Sequence, residues 1–248
     1  MNWPLVRLRP GDPFPPADQA LPAGAPFAGL LAVGGRVDAD SLEAAYSQGI
    51  FPWFGPGEPP MWWSPDPRML LAPHDLKVRR SLRQSARRVM DNADYSLHVD
   101  RNFRRVMLAC AAPRRDTAET WIVPAIVDAY SALHARGQAH SFELWCAGEL
   151  VSGLYCVARG GMVFGESMFT RVSDGSKILL MALCGFCLRH RLGPIDCQQQ
   201  TPHLANMGAR PWPRPVFLQI LGQALVKPGP PSWQYDRSQF QRDCAPWL

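Results

Sequence analysis

The chain has 248 residues, a formal net charge of +5 and 47% hydrophobic residues, which excludes intrinsic disorder and allows one large domain or two modest ones. No apolar run approaches the ~18 residues of a membrane span, and the start, Met1-Asn2-Trp3-Pro4-Leu5-Val6-Arg7, lacks the layout of a secretory signal. Seven cysteines without framework spacing exclude a disulfide scaffold and predict a reduced, cytoplasmic protein.

Residues 1–37 are proline-studded and predicted loop-rich. Asp40 is expected to cap a short helix, Ser41–Gln48, closed by Gly49. Gly49-Ile50-Phe51-Pro52-Trp53-Phe54 and Met61-Trp62-Trp63-Ser64-Pro65-Asp66-Pro67-Arg68 are too broken for a helix. They read as extended structure and turns, either as plain packing or as a concave aromatic wall for a ligand. After Pro73 basic helices are predicted near 78–90 and 101–111, the second capped by Asp100. A third, Val123–Arg136, carries Pro124 in its first turn and Gly137 at its end. Strands follow over Ser141–Ala147, Leu150–Ala158 and Met162–Phe169, joined by hairpin turns at Ala147-Gly148-Glu149 and Arg159-Gly160-Gly161. A long amphipathic helix, Ser176–His190, precedes a short strand, Pro194–Gln198, and a helix near 215–225. The order predicts an α+β protein: a small N-terminal aromatic and Pro-rich domain over residues 1–74, then a GNAT-like acyltransferase domain over 75–248, a mixed sheet flanked by helices. The acyltransferase layout is a fold-level analogy and implies no activity.

The charge is concentrated. Residues 77–115 hold eleven basic and three acidic residues, so this stretch carries +8 and the rest of the chain sums to −3. Arg80, Arg83, Arg87 and Arg88 fall at i, i+3, i+7 and i+8, one face of a helix. Arg101, Arg104, Arg105, Arg114 and Arg115 extend the patch. A solvated helix face is the bland reading; a polyanion partner, nucleic acid before membrane, is the other.

The sequence carries no P-loop, no GxGxxG after a strand and no GxSxG elbow. Cys184-Gly185-Phe186-Cys187 is a lone CxxC inside a predicted helix and reads as core packing, so neither a metal nor a cofactor is expected. The segment Arg171-Val172-Ser173-Asp174-Gly175-Ser176 sits where a coenzyme A loop would lie, with one glycine and an unfavourable aspartate. Glu166, in an apolar strand, calls for a partner or a ligand. Asp196 and Gln198, two apart on a strand, share a face, so the carboxylate is expected to orient the carboxamide. A structural hydrogen-bonding role remains the competing reading for all three.

These segments together resemble the leucyl/phenylalanyl-tRNA–protein transferase family. The matching stretches are Gly49–Phe54, Trp62-Trp63-Ser64-Pro65-Asp66-Pro67-Arg68, Thr120-Trp121-Ile122, Gly165-Glu166-Ser167-Met168-Phe169, Ser176-Lys177 and Ile195-Asp196-Cys197-Gln198. The resemblance implies transfer of Leu, Phe or sometimes Met from charged tRNA to proteins beginning with Arg or Lys, which marks them for degradation. It places Asp196, Gln198 and Glu166 in the catalytic site. It lines the aminoacyl pocket with Leu154, Leu180, Leu183, Cys187 and Ile195, and sets Trp53 and Trp121 against the terminal adenine. Arg80, Arg83, Arg87 and Arg88 then hold the tRNA. The expected partners are leucyl- and phenylalanyl-tRNA and the acceptor proteins, with no membrane, and the protein is expected to act as a monomer. A CoA-dependent N-acyltransferase and a non-catalytic tRNA-binding module are the two competing classes.

Overall fold

The computed structural model describes residues 5–113 and 120–248. Arg114 and Arg115 lie outside the described residues. In chain order the first elements are β1 (Val6–Leu8), β2 (Leu30–Gly34), α1 (Ala39–Tyr46), β3 (Phe51–Pro52) and β4 (Met61–Trp63). Then come β5 (Arg68–Leu71), α2 (Arg80–Asp91), β6 (Tyr95–Val99), α3 (Phe103–Ala111) and α4 (Pro124–Ala135). The second half holds β7 (Ala139–Cys146), β8 (Glu149–Arg159), β9 (Met162–Thr170), α5 (Gly175–Arg189) and β10 (Ile195–Gln198). The chain ends with α6 (Pro202–Met207), β11 (Arg210–Trp212), α7 (Arg214–Leu225) and α8 (Arg237–Cys244).

Among the described residues these strands form a four-stranded sheet, β1-β2-β4-β3, and a seven-stranded sheet, β11-β5-β10-β9-β8-β7-β6. The larger is mixed: β6 to β9 are antiparallel neighbours, whereas β10 joins β9 in parallel after the crossover through α5. The β7–β8 turn follows from its sequence, since Ala147 and Gly148 both take positive φ, the pattern of a two-residue hairpin. One face of the sheet packs on α3, α4 and α7, the other on α2, α5 and α8. The mixed sheet flanked by helices expected of the second unit is therefore present. Residues 68–71, on the N-terminal side of the 74/75 boundary, already form a strand of that sheet, and the small sheet shares one buried cluster with the α3/α4/α7 face.

Three local expectations are corrected. Asp38, not Asp40, caps α1 by accepting from the Ser41 N–H at 2.8 Å, while Asp40 pairs with Arg136. Asn102 caps α3 by accepting from the Arg105 N–H at 3.1 Å; Asp100 instead accepts from the Ser141 N–H at 2.7 Å and stitches α3 to β7. Helix α5 is not amphipathic: Ile178 to Cys187 are buried on every side, because the sheet covers one flank and α2 and α8 cover the others. Gly185 permits this, since a Cβ there would stand 2.9 Å from the Asp243 Cβ of α8. Strands β6 and β11 and helices α6 and α8 were not anticipated; the strands are short, and α6 and α8 draw their stability from packing.

Candidate active site

Strands β9 and β10 pair at only two positions, Val163–Ile195 and Phe164–Asp196. Beyond them β9 follows β8 to Thr170 and β10 turns away at Gln198. The strands splay and leave a notch beside α5. Two backbone irregularities aim side chains there. Tyr155 faces Ser167 and Cys156 faces Gly165, so Glu166 is the extra residue of a β-bulge, a device that re-aims a side chain. Gln198 takes φ 62°, which breaks the strand alternation that would have fixed its direction.

Buried charge holds this geometry. Asp196 is fully buried and faces Arg68, also fully buried, through a bidentate pair: Arg68 Nε to Oδ1 at 2.9 Å and Nη2 to Oδ2 at 2.6 Å. The guanidinium also donates to the Gly49 carbonyl and lies between the rings of Phe51 and Phe217, 4.8 and 4.5 Å from their centroids. Asp196 Oδ1 additionally accepts from the Gln198 backbone N–H at 2.8 Å, a local turn that fixes the left-handed residue. The Gln198 carboxamide is not held by Asp196. Its Nε2 donates to Glu166 Oε1 at 2.9 Å, which leaves its oxygen free to accept. Glu166 Oε2 accepts from the Tyr130 hydroxyl at 3.2 Å, and Tyr130 in turn meets the Tyr46 hydroxyl. Burial pushes the Glu166 carboxyl up to about 7, with the Asp196 charge adding to the rise and the Tyr46, Gln198 and Tyr130 hydrogen bonds opposing it. Both tyrosines are held well above their ordinary range, chiefly by burial, and stay protonated donors. A left-handed non-glycine residue costs on the order of 1 kcal/mol or more. Gln198→Gly is therefore expected to be about 1 kcal/mol more stable than Gln198→Ala in urea unfolding, both having lost the carboxamide.

Beside this network lies a cavity of about 410 Å³. Leu154, Leu180, Leu183, Ile195 and Met168 give it an apolar wall, Trp121 lines it, and Glu166 is its charged residue among those described. A cleft of about 540 Å³ between Leu188, Pro194 and Trp212 is larger, but none of the network residues lines it.

Two family models match the chain: the leucyl/phenylalanyl-tRNA protein transferase over residues 70–222, and that family's N-terminal domain over residues 35–66. This chain belongs to that family. A leucyl/phenylalanyl-tRNA–protein transferase of Albidiferax ferrireducens is 48% identical over 244 residues, 98% of this chain and 96% of the relative. One of Cupriavidus taiwanensis is 50% identical over 239 residues, 96% of each. Among solved structures the likeness is distant, as with a GCN5-related N-acetyltransferase from Kribbella flavida (TM-score 0.35, 13% identity, 69% of this chain and 60% of that one).

Of the transferase residues expected from sequence, the structure gathers Glu166, Leu154, Leu180, Leu183, Ile195 and Trp121 at one cavity, with Gln198 bound to Glu166 at its edge. Asp196 stands behind them with no exposed surface and accepts from the Gln198 backbone N–H. Neighbouring Ile195 and Asp196 face opposite ways: Ile195 lines the cavity, and Asp196 bonds Arg68 and the Gln198 N–H. Cys187 is buried in the core of α5 and does not line the cavity. Trp53 is 42% exposed, packed edge-on against Trp63 and outside the cavity lining. The arginines of α2 are all exposed, yet two are engaged: Arg83 donates to the Trp247 carbonyl at 2.7 Å and Arg87 to the carbonyl of the terminal Leu248. Sequence reasoning missed Arg68, Tyr46 and Tyr130. Arg68 lay inside the quoted Trp62–Arg68 block and was the one available signal.

At the start of α5, Asp174 sends its carboxylate to Lys177 Nζ at 2.7 Å and Ser85 Oγ at 2.8 Å. A carboxylate paired with Lys177 thus occupies the helix start, the position at which an anion is otherwise favoured. Asp100, His134 and His140 hold donor atoms within 4.8 Å of one another, but three of the four imidazole nitrogens are engaged in hydrogen bonds. His134 Nδ1 meets the Ala139 carbonyl at 2.7 Å; His140 meets Asp100 at 2.6 Å and the Gly137 carbonyl at 3.1 Å. Among the described residues no helix is long and apolar enough to cross a membrane.

Proposed function

We propose that this protein transfers a leucyl or phenylalanyl group, and on occasion a methionyl group, from its tRNA to the α-amino group of a protein beginning with Arg or Lys. The observation that carries the reading is a largely apolar cavity of about 410 Å³ lined by Glu166, whose carboxylate in turn accepts from the Gln198 carboxamide. The acyl side chain lies against Leu154, Leu180, Leu183, Ile195 and Met168, and Trp121 frames the terminal adenosine. A leucyl group and a phenylalanyl group differ little in apolar bulk, so such a wall takes both.

The ester is already activated, and catalysis rests on placing the amine beside it in a site shielded from water. The Gln198 oxygen accepts a hydrogen bond from the incoming amine and aims its lone pair at the ester carbonyl. Glu166, near neutral in its proton affinity, takes the proton that the amine sheds. The new C–N bond forms, the ester C–O bond breaks, and Glu166 returns that proton to the departing ribose oxygen, which leaves as the hydroxyl. In the acceptor, a first-residue guanidinium or ammonium is drawn by the same carboxylate. The exposed Arg80 and Arg88 hold tRNA phosphates on the outer face of α2. The seven cysteines are all free.

The test incubates purified protein with tRNA charged with labelled Leu or Phe and a peptide beginning with Arg beside one beginning with Ala. Label on the Arg peptide alone, without ATP or coenzyme A, is the expected result. Tight, salt-sensitive tRNA binding with no label on either peptide overturns transfer in favour of a binding module. Label that requires coenzyme A overturns it in favour of the acyltransferase class.

A further inference from the structure

A second, smaller cavity of about 200 Å³ adjoins the first, and His203 lines both. Its other walls are Lys77, Arg79, Ser81, Lys177 and Asn206, besides the apolar Leu82 and Met207. No carboxylate lines it. Lys77 and Arg79 thus share one small space with an imidazole, a hydroxyl, a carboxamide and Lys177, whose ammonium is paired with Asp174 on its other side.

The cavity is built rather than incidental. The Lys77 N–H donates to the Met207 carbonyl at 2.9 Å and ties the 75–79 segment to the end of α6. Gly208 takes φ 110° and lies so close to this segment that a Cβ would stand 2.1 Å from the Asp75 carbonyl oxygen. Only glycine allows that contact, so the cationic stretch before α2 and the helix bearing His203 are clamped together by backbone. The His203 imidazole is held below its ordinary range by burial and by the positive charge of Lys177, a field that a bound anion would relieve.

We infer that this cavity is a phosphodiester site for the single-stranded 3′ end of the charged tRNA, seating the 5′-phosphate of the aminoacylated adenosine or the one before it. The inference rests on the transfer reading above. An acyl group in the first cavity is esterified to a ribose whose own 5′-phosphate lies one sugar away, and the shared wall at His203 puts the second cavity at that range. The α2 arginines Arg80 and Arg88 belong to a different surface, the exposed face of the helix, and suit the double-helical stem. The protein thus reads phosphate at two places, one fixed to the chemistry and one remote.

The experiment measures KM and kcat for three donors: 3′-aminoacyl adenosine without phosphate, an aminoacylated CCA trinucleotide, and whole charged tRNA. For Lys77→Ala/Arg79→Ala the expected result is a KM at least tenfold higher for the trinucleotide and for tRNA, with kcat kept and KM for aminoacyl adenosine and for the Arg peptide unchanged. The salt dependence of KM for the trinucleotide should also fall by about one unit of slope per lost phosphate contact. Arg80→Ala/Arg88→Ala should raise KM for whole tRNA alone. Equal losses on all three donors, losses confined to whole tRNA, no loss on any, or a rise in KM for the peptide alone overturns the site. In that last case the anion would be a carboxylate of the acceptor. Wild-type protein that transfers from none of the donors overturns the transfer reading, and this site with it.

Discussion

Arg68→Met is expected to destabilise the fold by about 3–5 kcal/mol and to abolish transfer, because it strands a fully buried carboxylate. Asp196 has no exposed surface, and its partner provides both hydrogen bonds of a bidentate pair. A buried pair is costly to assemble, but removing one member leaves the desolvated charge of the other without compensation. The informative comparison is Arg68→Met/Asp196→Leu. Removing both charges should restore most of the stability in urea unfolding, whereas activity should stay lost, since the Gln198 N–H has no acceptor and its left-handed backbone no anchor. That split between stability and turnover separates a positioning pair from a merely structural one. A single variant within 1 kcal/mol of wild type, or an active double variant, would contradict this account.

Glu166→Gln should lower kcat about 10²-fold at pH 8, the usual scale for losing a positioned proton acceptor. The pH profile carries the sharper signature. Below neutrality the wild-type rate depends on two deprotonations, that of Glu166 near 7 and that of the acceptor amine at roughly 7.7–8.0. The logarithm of the rate should therefore climb with a slope approaching two, and with a slope of one in Glu166→Gln. Stability moves the other way. Folding raises the Glu166 pKa from 4.5 to about 7, so across that interval the folded chain holds a proton the unfolded chain has lost. The contribution is fully present below 4.5 and is lost as the pH rises through 7. Glu166→Gln should accordingly melt higher than wild type at pH 8 and at the same temperature at pH 4. A variant with the wild-type profile and no gain at pH 8 would remove Glu166 from proton transfer.

Among the described residues, six of the eight α-helices, all but α6 and α8, and the hairpins were legible because their signals are local. The arginine spacing in α2, Pro124 at the start of α4, and Ala147-Gly148 between β7 and β8 each act within a few residues of chain. The two misplaced caps show the limit of such signals. Near α1 two aspartates competed, and before α3 Asp100 and Asn102 did; geometry two residues away chose Asp38 and Asn102. The cavity wall was legible through the family resemblance except at Cys187, which is buried in the core of α5; Trp53, expected against the terminal adenine, lies outside the cavity lining.

By itself, the sequence determined the class of the fold, the family, the concentration of positive charge before and within α2, and the segments that carry the chemistry. The tertiary structure alone decided how those segments cooperate. Arg68 meets Asp196 across 128 positions of chain, and Tyr46 reaches Tyr130 across 84. The bulge at Glu166 and the turn at Gln198 redirect both side chains against the strand alternation that residue spacing implies. Spacing reports which residues share a face of an ideal element. Pairing of buried charge, and the backbone irregularities that serve it, depend on which elements pack together, and that is settled only when the chain closes its long loops and excludes water from the core.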